Sequence, residues 1–164
     1  MLWAEDLNMQ FILGVWAGHW LNETSVPKKE LQYYVNDALD ELEFLRGDTS
    51  THWGAYRAEL GHPEPFNITF VEVGNEDSLS EGKKSYETYR FAAFYNAIHA
   101  AYPDITIIAS YYNVGGPEPP FDASGDFHEY AAPVQMSSQF DLFDNYSDAH
   151  PLLVGEYAVV TYDL

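Results

Sequence analysis

Three short strings each end an apolar run with polar side chains: Val71-Glu72-Val73-Gly74-Asn75-Glu76-Asp77, Asp126-Phe127-His128-Glu129-Tyr130 and Leu153-Val154-Gly155-Glu156-Tyr157-Ala158. Two of them place a glutamate, Glu76 or Glu156, directly behind a turn-forming residue. A pair of carboxyl groups held about 5–5.5 Å apart across a sugar suffices for retaining glycoside hydrolysis, one attacking the anomeric carbon and the other protonating the leaving oxygen. Two such groups in a partly dry site resist holding two negative charges, so one of them keeps its proton. When the nucleophile becomes an ester its charge disappears, the partner's pKa falls, and the former acid can deprotonate water.

Whether the two glutamates meet depends on the elements that carry them. Glu76 and Glu156 are 80 residues apart. At roughly 30 residues per βα unit this is close to three units, which places them on strands facing each other across the mouth of a barrel. Gln10 to Trp16 is a nearly continuous apolar run of the kind buried on both faces of a parallel sheet. A helix follows, with Ser25 as its expected cap, Pro27 in its first turn, Leu31, Val35, Ala38, Leu42 and Leu45 at helical spacing, and Gly47 at its end. Residues 48–65, with Gly54, Gly61, Pro63 and Pro65, read as a loop with one short helical turn around Tyr56 to Leu60.

Ile68 to Val73 is the next strand. Phe91, Phe94, Ile98 and Ala101 predict a helix over about Tyr86 to Ala101, stopped by Pro103. Ile105 to Ala109 reads as a strand and Tyr112 to Gly125, with Pro117, Pro119 and Pro120, as an ordered loop where a βα repeat normally supplies a helix. A short strand over Phe127 to Tyr130, a third helix marked by Met136, Phe140 and Phe143, and a last strand over Leu152 to Tyr157 complete the pattern. This alternation favours a parallel α/β sheet. No G-x-G-x-x-G or P-loop string supports a doubly wound nucleotide fold. A complete (β/α)₈ barrel takes roughly 250 residues, whereas five strands in 164 residues predict a partial TIM barrel.

Composition narrows the partners. With 46% apolar and 16% aromatic residues the chain has the volume for one packed domain. Twenty-six acidic against seven basic residues give a formal charge of −19, which repels phosphate backbones and anionic membrane surfaces, so neither nucleic acid nor membrane is expected as a partner. Without Cys there are no disulfides, thiolate metal sites or thiol nucleophiles. No apolar run approaches the ~20 residues of a spanning helix, and the first residues lack the pattern of a secretory signal. His19, His52, His62, His99 and His150 show no ligand spacing, so no metal and no cofactor are expected.

The string Glu59-Leu60-Gly61-His62-Pro63-Glu64-Pro65-Phe66, with the three strand-end strings above, closely resembles the fungal-type α-L-arabinofuranosidases of glycoside hydrolase family 51. The resemblance runs along nearly the whole chain. It implies Glu76 as acid/base on the fourth barrel strand, Glu156 as nucleophile on the seventh, Asn75 as the ligand of the sugar 2-hydroxyl, and His128 and Tyr130 of the sixth strand beside the nucleophile. Gln10 to Trp16 then becomes the third strand, and residues 1–164 form a single incomplete catalytic barrel covering strands three to seven. The family's strands one, two and eight and its β-sandwich domain have no counterpart, which would leave two strand edges unpaired. The implied substrate is an arabinose-containing polysaccharide or oligosaccharide, cleaved at terminal α-L-arabinofuranosyl groups, by an enzyme secreted in its full-length form. A related retaining glycosidase with another sugar, and a non-catalytic or decayed fragment, are the alternatives.

Each residue also has a plainer reading. Asn75 could order the turn through its own side chain, His128 could be a satisfied packing histidine, and Tyr130 a core ring. Strand alternation puts Glu72 on the side of Glu76 but one layer deeper, as a buried, hydrogen-bonded structural carboxyl. Of Trp3, Trp16, Trp20 and Trp53 only Trp20 is placed for a ligand. Asn22, Asn67 and Asn145 begin N-x-S/T strings that become glycosylation acceptors in a secreted protein, Asn67 being expected to be buried.

Overall fold

The computed structural model describes residues 1–20, 23–79, 81–111, 119–144 and 151–161. Its sheet has five strands, β1 (Phe11–Val15), β2 (Ile68–Val73), β3 (Thr106–Ala109), β4 (Ser124–Ala131) and β5 (Leu152–Val159), neighbouring one another in sequence order. Every pairing is parallel. Strands laid side by side in chain order, with helices in three of the four connections among the described residues, are the arrangement of a barrel wall. The predicted partial (β/α)₈ barrel is the observed architecture.

Leu13, Val71 and Ile107 share one register row and Val15, Val73 and Ala109 the next, all buried on the helix-facing side. Against them pack α2 (Leu31–Arg46), through Leu31, Val35, Ala38, Leu42 and Leu45, and α5 (Phe91–Ala101), through Phe91, Phe94 and Ile98. The opposite face carries Ile12, Phe70, Glu72 and Ile108. This is the interior of the barrel wall.

Several local features differ from expectation. Ser25 does not cap α2; it forms an isolated bridge with His19, the helix begins at Leu31, and the side chain of Glu30 at its N-cap makes no capping hydrogen bond. The loop after α2 contains a two-turn helix, α3 (His52–Glu59), because the Thr51 hydroxyl accepts the Gly54 N–H and starts it earlier than the apolar pattern shows. Buried Arg57 donates to the carbonyls of Phe44, His62 and Pro63, so the Gly61 to Phe66 stretch is held by a strut and closes behind the sheet.

The helix expected over Tyr86 to Ala101 begins earlier, as α4 (Gly82–Ser85), and passes through a π turn (Tyr86–Arg90) before α5. Strand β4 extends the expected Phe127 to Tyr130 at both ends, because Ser124, Gly125 and Asp126 are buried although not apolar. The third helix, α6 (Pro133–Ser138), includes Met136 but ends before Phe140 and Phe143, both exposed. A five-residue helix, α1 (Leu2–Asp6), precedes the sheet. Of the expected loop over Tyr112 to Gly125, residues 112–118 lie outside the described residues, as do Asn22, Asn145 and His150; Asn67 is exposed.

Candidate active site

The end of β2 is built around Asp77. Its Oδ2 accepts the Asn75 N–H at 3.0 Å and the Ser110 hydroxyl at 3.1 Å, while Oδ1 pairs with the guanidinium of Arg90. Both members of the ion pair are buried. Arg90 also donates to the carbonyls of Ala17 and Gly82 and to Ser85 Oγ, satisfying the charge in several directions. A Cβ on Gly74 would stand 1.8 Å from Asp77 Oδ2, and Gly74 has φ +94°, so only glycine fits that turn. Glu76 adopts φ +50°, a left-handed conformation that non-glycine residues rarely take and that costs on the order of 1 kcal/mol. The Asp77 cradle holds the chain in it, aiming Glu76 across the mouth.

A second hub lies on β4. Asp126, 2% exposed, accepts the Gly155 N–H on Oδ1 at 2.7 Å and the His128 Nε2–H on Oδ2 at 2.6 Å. Gly155 must be glycine, since a Cβ there would meet both Asp126 oxygens at 2.6 Å. The strand just before Glu156 and the imidazole of His128 are therefore fixed by one carboxylate. Tyr130 donates its hydroxyl to Glu156 Oε2 at 2.5 Å.

These two hubs bring the residues singled out in the sequence together. His128 Nδ1 lies 3.3 Å from Glu76 Oε1 and 3.7 Å from Glu156 Oε2. The facing atoms of Glu76, His128 and Glu156 all fall within 4.8 Å of one another. Side-chain exposures of 36% for Glu76 and 38% for Glu156 leave both heads open to a ligand. Burial lowers the His128 pKa, but hydrogen bonds and charges from Glu76, Asp126 and Glu156 outweigh it, and the net shift is upward. The phenol of Tyr130 is raised chiefly by donating to Glu156.

Because Asp126 claims the Nε2 proton, Nδ1 is left to exchange one with Glu76. The arrangement can protonate a leaving group from one side and offer a carboxylate on the other. The same three groups have a spacing that a cation would accept, yet their facing atoms already pair with each other and with Tyr130, so no metal centre is assigned.

Asn75 lines a cavity of about 350 Å³ at this end of the sheet with Trp16, Ala17, His19, Gly74 and Asp77. Trp16, not Trp20, is the tryptophan on that wall. Its indole N–H is tied to the His19 carbonyl at 2.8 Å and its ring sits edge-on to Tyr34 at 4.9 Å. Asp77, Arg90 and Asp126 were not singled out by type and spacing. An arginine inside the apolar Tyr86 to Ala101 run was the available signal for the first two; Asp126 had none beyond its place in the His128 string.

The sequence profile described as "Alpha-L-arabinofuranosidase 1 domain" matches residues 1–148. The chain belongs to the family 51 α-L-arabinofuranosidases. It is 47% identical over 163 residues to a protein of Aspergillus terreus named probable α-L-arabinofuranosidase A, and 46% identical over 161 residues to α-L-arabinofuranosidase A of Aspergillus kawachii. These matches cover 96% and 95% of this chain and 26% of each relative, so the chain spans about a quarter of the length of the curated relatives it matches. An arabinose-bound family 51 α-L-arabinofuranosidase, MgGH51, superposes with a TM-score of 0.88 at 35% identity, covering 97% of this chain and 25% of that one. The thermostable family 51 enzyme of Thermotoga petrophila, at 19% identity and a TM-score of 0.66, shares the fold, covering 99% of this chain and 37% of its own.

Proposed function

We propose that these residues are the strand-three-to-strand-seven part of a retaining α-L-arabinofuranosidase that removes terminal α-L-arabinofuranosyl groups from arabinan or arabinoxylan chains. Glu156 is the nucleophile, its Oε2 held by the Tyr130 hydroxyl. Glu76 is the acid/base, giving a proton to the leaving oxygen and then taking one from the attacking water, with His128 Nδ1 beside its Oε1. Asn75 stands on the cavity wall where a sugar hydroxyl can be held. No cofactor enters these steps.

The observation that carries the reading is the approach of the two glutamates to within 4.8 Å. Retaining enzymes need about 5–5.5 Å between the carboxyl groups, whereas inverting ones leave about 6.5–9.5 Å for a water. The family's named activity supplies the sugar. Work outside the cell accords with the acidic composition, and no helix among the described residues is long and apolar enough to cross a membrane.

The test is hydrolysis of a panel of activated aryl glycosides by this chain and by a longer gene product containing it, with proton NMR of the first-formed anomer. Cleavage of the α-L-arabinofuranoside with retained configuration is expected. An inert arabinofuranoside beside a cleaved pyranoside, or an inverted product, overturns the assignment.

A further inference from the structure

One more acid stands beneath the paired glutamates. Glu72 on β2 lies in register with Gly14 of β1 and Ile108 of β3, neither of which brings a charge. The charged groups that face it are Asp126 and His128 on β4 and Glu156 on β5, with Glu76 beyond the end of its own strand. Its carboxyl is in hydrogen-bond contact with Asp126. Its buried Oε1 meets no hydrogen-bond donor among the described residues.

Two carboxyl groups in hydrogen-bond contact need a proton between them, since an ionised carboxylate only accepts. Asp126 already accepts an N–H on each oxygen, from Gly155 and from His128. An ionised Glu72 would also leave its buried Oε1 charged and without a donor among the described residues, so the geometry places the proton on Glu72.

We propose that Glu72 is a positioning residue, a resident neutral carboxylic acid that donates to Asp126 and so fixes the imidazole of His128 between Glu76 and Glu156. The role deepens the glycosidase reading and rests on it for its purpose, but the protonation state stands by itself. Desolvation first, and the nearby Asp126 second, push the Glu72 pKa up to about 8, in keeping with the geometry. The hub acts through position: with its donor gone, Asp126 has less to hold its oxygens against Gly155 and His128, and the imidazole loosens.

Two measurements test this. Carbon-13 NMR of the glutamate carboxyls in the whole chain, with the Glu72 resonance identified by its loss in Glu72→Gln, should show a neutral acid at neutral pH titrating near 8. Titration in the ordinary carboxylate range overturns the proposal, whatever the chain's activity. In a longer gene product containing the chain, Glu72→Gln keeps a donor to Asp126 and should hold kcat/KM within about threefold, with both limbs of the pH profile in place. Glu72→Leu should lose at least about tenfold and displace the limbs. Equal behaviour of the two variants overturns the positioning role. Inactivity of the unaltered enzyme on every glycoside would instead count against the glycosidase reading and leave the NMR outcome to decide the protonation state.

Discussion

At the level of single residues, Glu156 and Glu76 differ in their company, and the difference supports the roles proposed for them. Glu156 receives a phenolic O–H at 2.5 Å, a bond that an ionised carboxylate accepts well; Glu76 faces an imidazole nitrogen that can give or take a proton. Glu76→Ala and Glu156→Gln should each lower kcat by about 10²–10⁴-fold. Azide should restore turnover of an activated aryl arabinofuranoside to Glu76→Ala and leave Glu156→Gln inactive, because only the former still forms the covalent intermediate. Rescue in the opposite variant would exchange the two roles. Tyr130→Phe removes one charge-assisted bond, with an expected loss of about tenfold in kcat/KM; an unchanged rate would make Tyr130 a bystander. Both glutamates were legible in the sequence because Gly-Asn-Glu and Gly-Glu interrupt apolar strands. Asp126 was not, since its partners, the Gly155 N–H and the His128 ring, are revealed only when β5 lies beside β4.

At the level of elements, the π turn decides how Glu76 is presented. The turn spans Tyr86–Arg90 and buries both of its end residues. Tyr86 donates to the Val73 carbonyl at 2.6 Å and accepts the Ser110 N–H at 2.9 Å, joining the ends of β2 and β3, while Arg90 reaches Asp77. Removing the buried phenol in Tyr86→Phe should cost about 1–3 kcal/mol of unfolding free energy. Arg90→Met, which strands the Asp77 charge, should cost about 3–5 kcal/mol. Urea unfolding measures both, and a near-neutral Arg90→Met would show that the pair does not brace the loop. Apolar spacing located a helix here, but no sequence pattern marks the extra residue of a π turn. Similarly, Phe140 and Phe143 keep helical spacing with Met136, yet α6 stops at Ser138, Phe140 lying almost fully exposed and Phe143 turning edge-on to Phe127 of β4.

For the molecule as a whole, proton binding sets the direction of its stability with pH. Glu72 is raised from 4.5 to about 8, first by desolvation, so the folded chain holds a proton that the unfolded chain releases, and stability falls as pH rises through that window. His128, raised above 6.5, adds stability that is present below that value and lost as pH rises through its folded pKa. A formal charge of −19 adds self-repulsion of the same sign. Melting temperature should therefore decline from about pH 5 to 9, with a shallower slope in Glu72→Gln; a flat or rising profile contradicts this. The sheet also leaves β1 and β5 with one partner each among the described strands, and an apolar cavity of about 230 Å³ opens between Ile12, Phe70, Ile108, Leu152 and Leu153. Concentration-dependent association of the 164-residue chain is expected from these edges, and sedimentation velocity across a hundredfold dilution checks it.

The sequence by itself determined the strands, the order in which they lie, the exclusion of thiol chemistry and the two glutamates, since apolar runs, turn residues and composition are local quantities. Tertiary structure alone decided which polar groups meet: Asp126 with His128, Asp77 with Arg90. Electrostatic coupling between such groups depends on distance through space and on burial, which spacing along a chain does not encode.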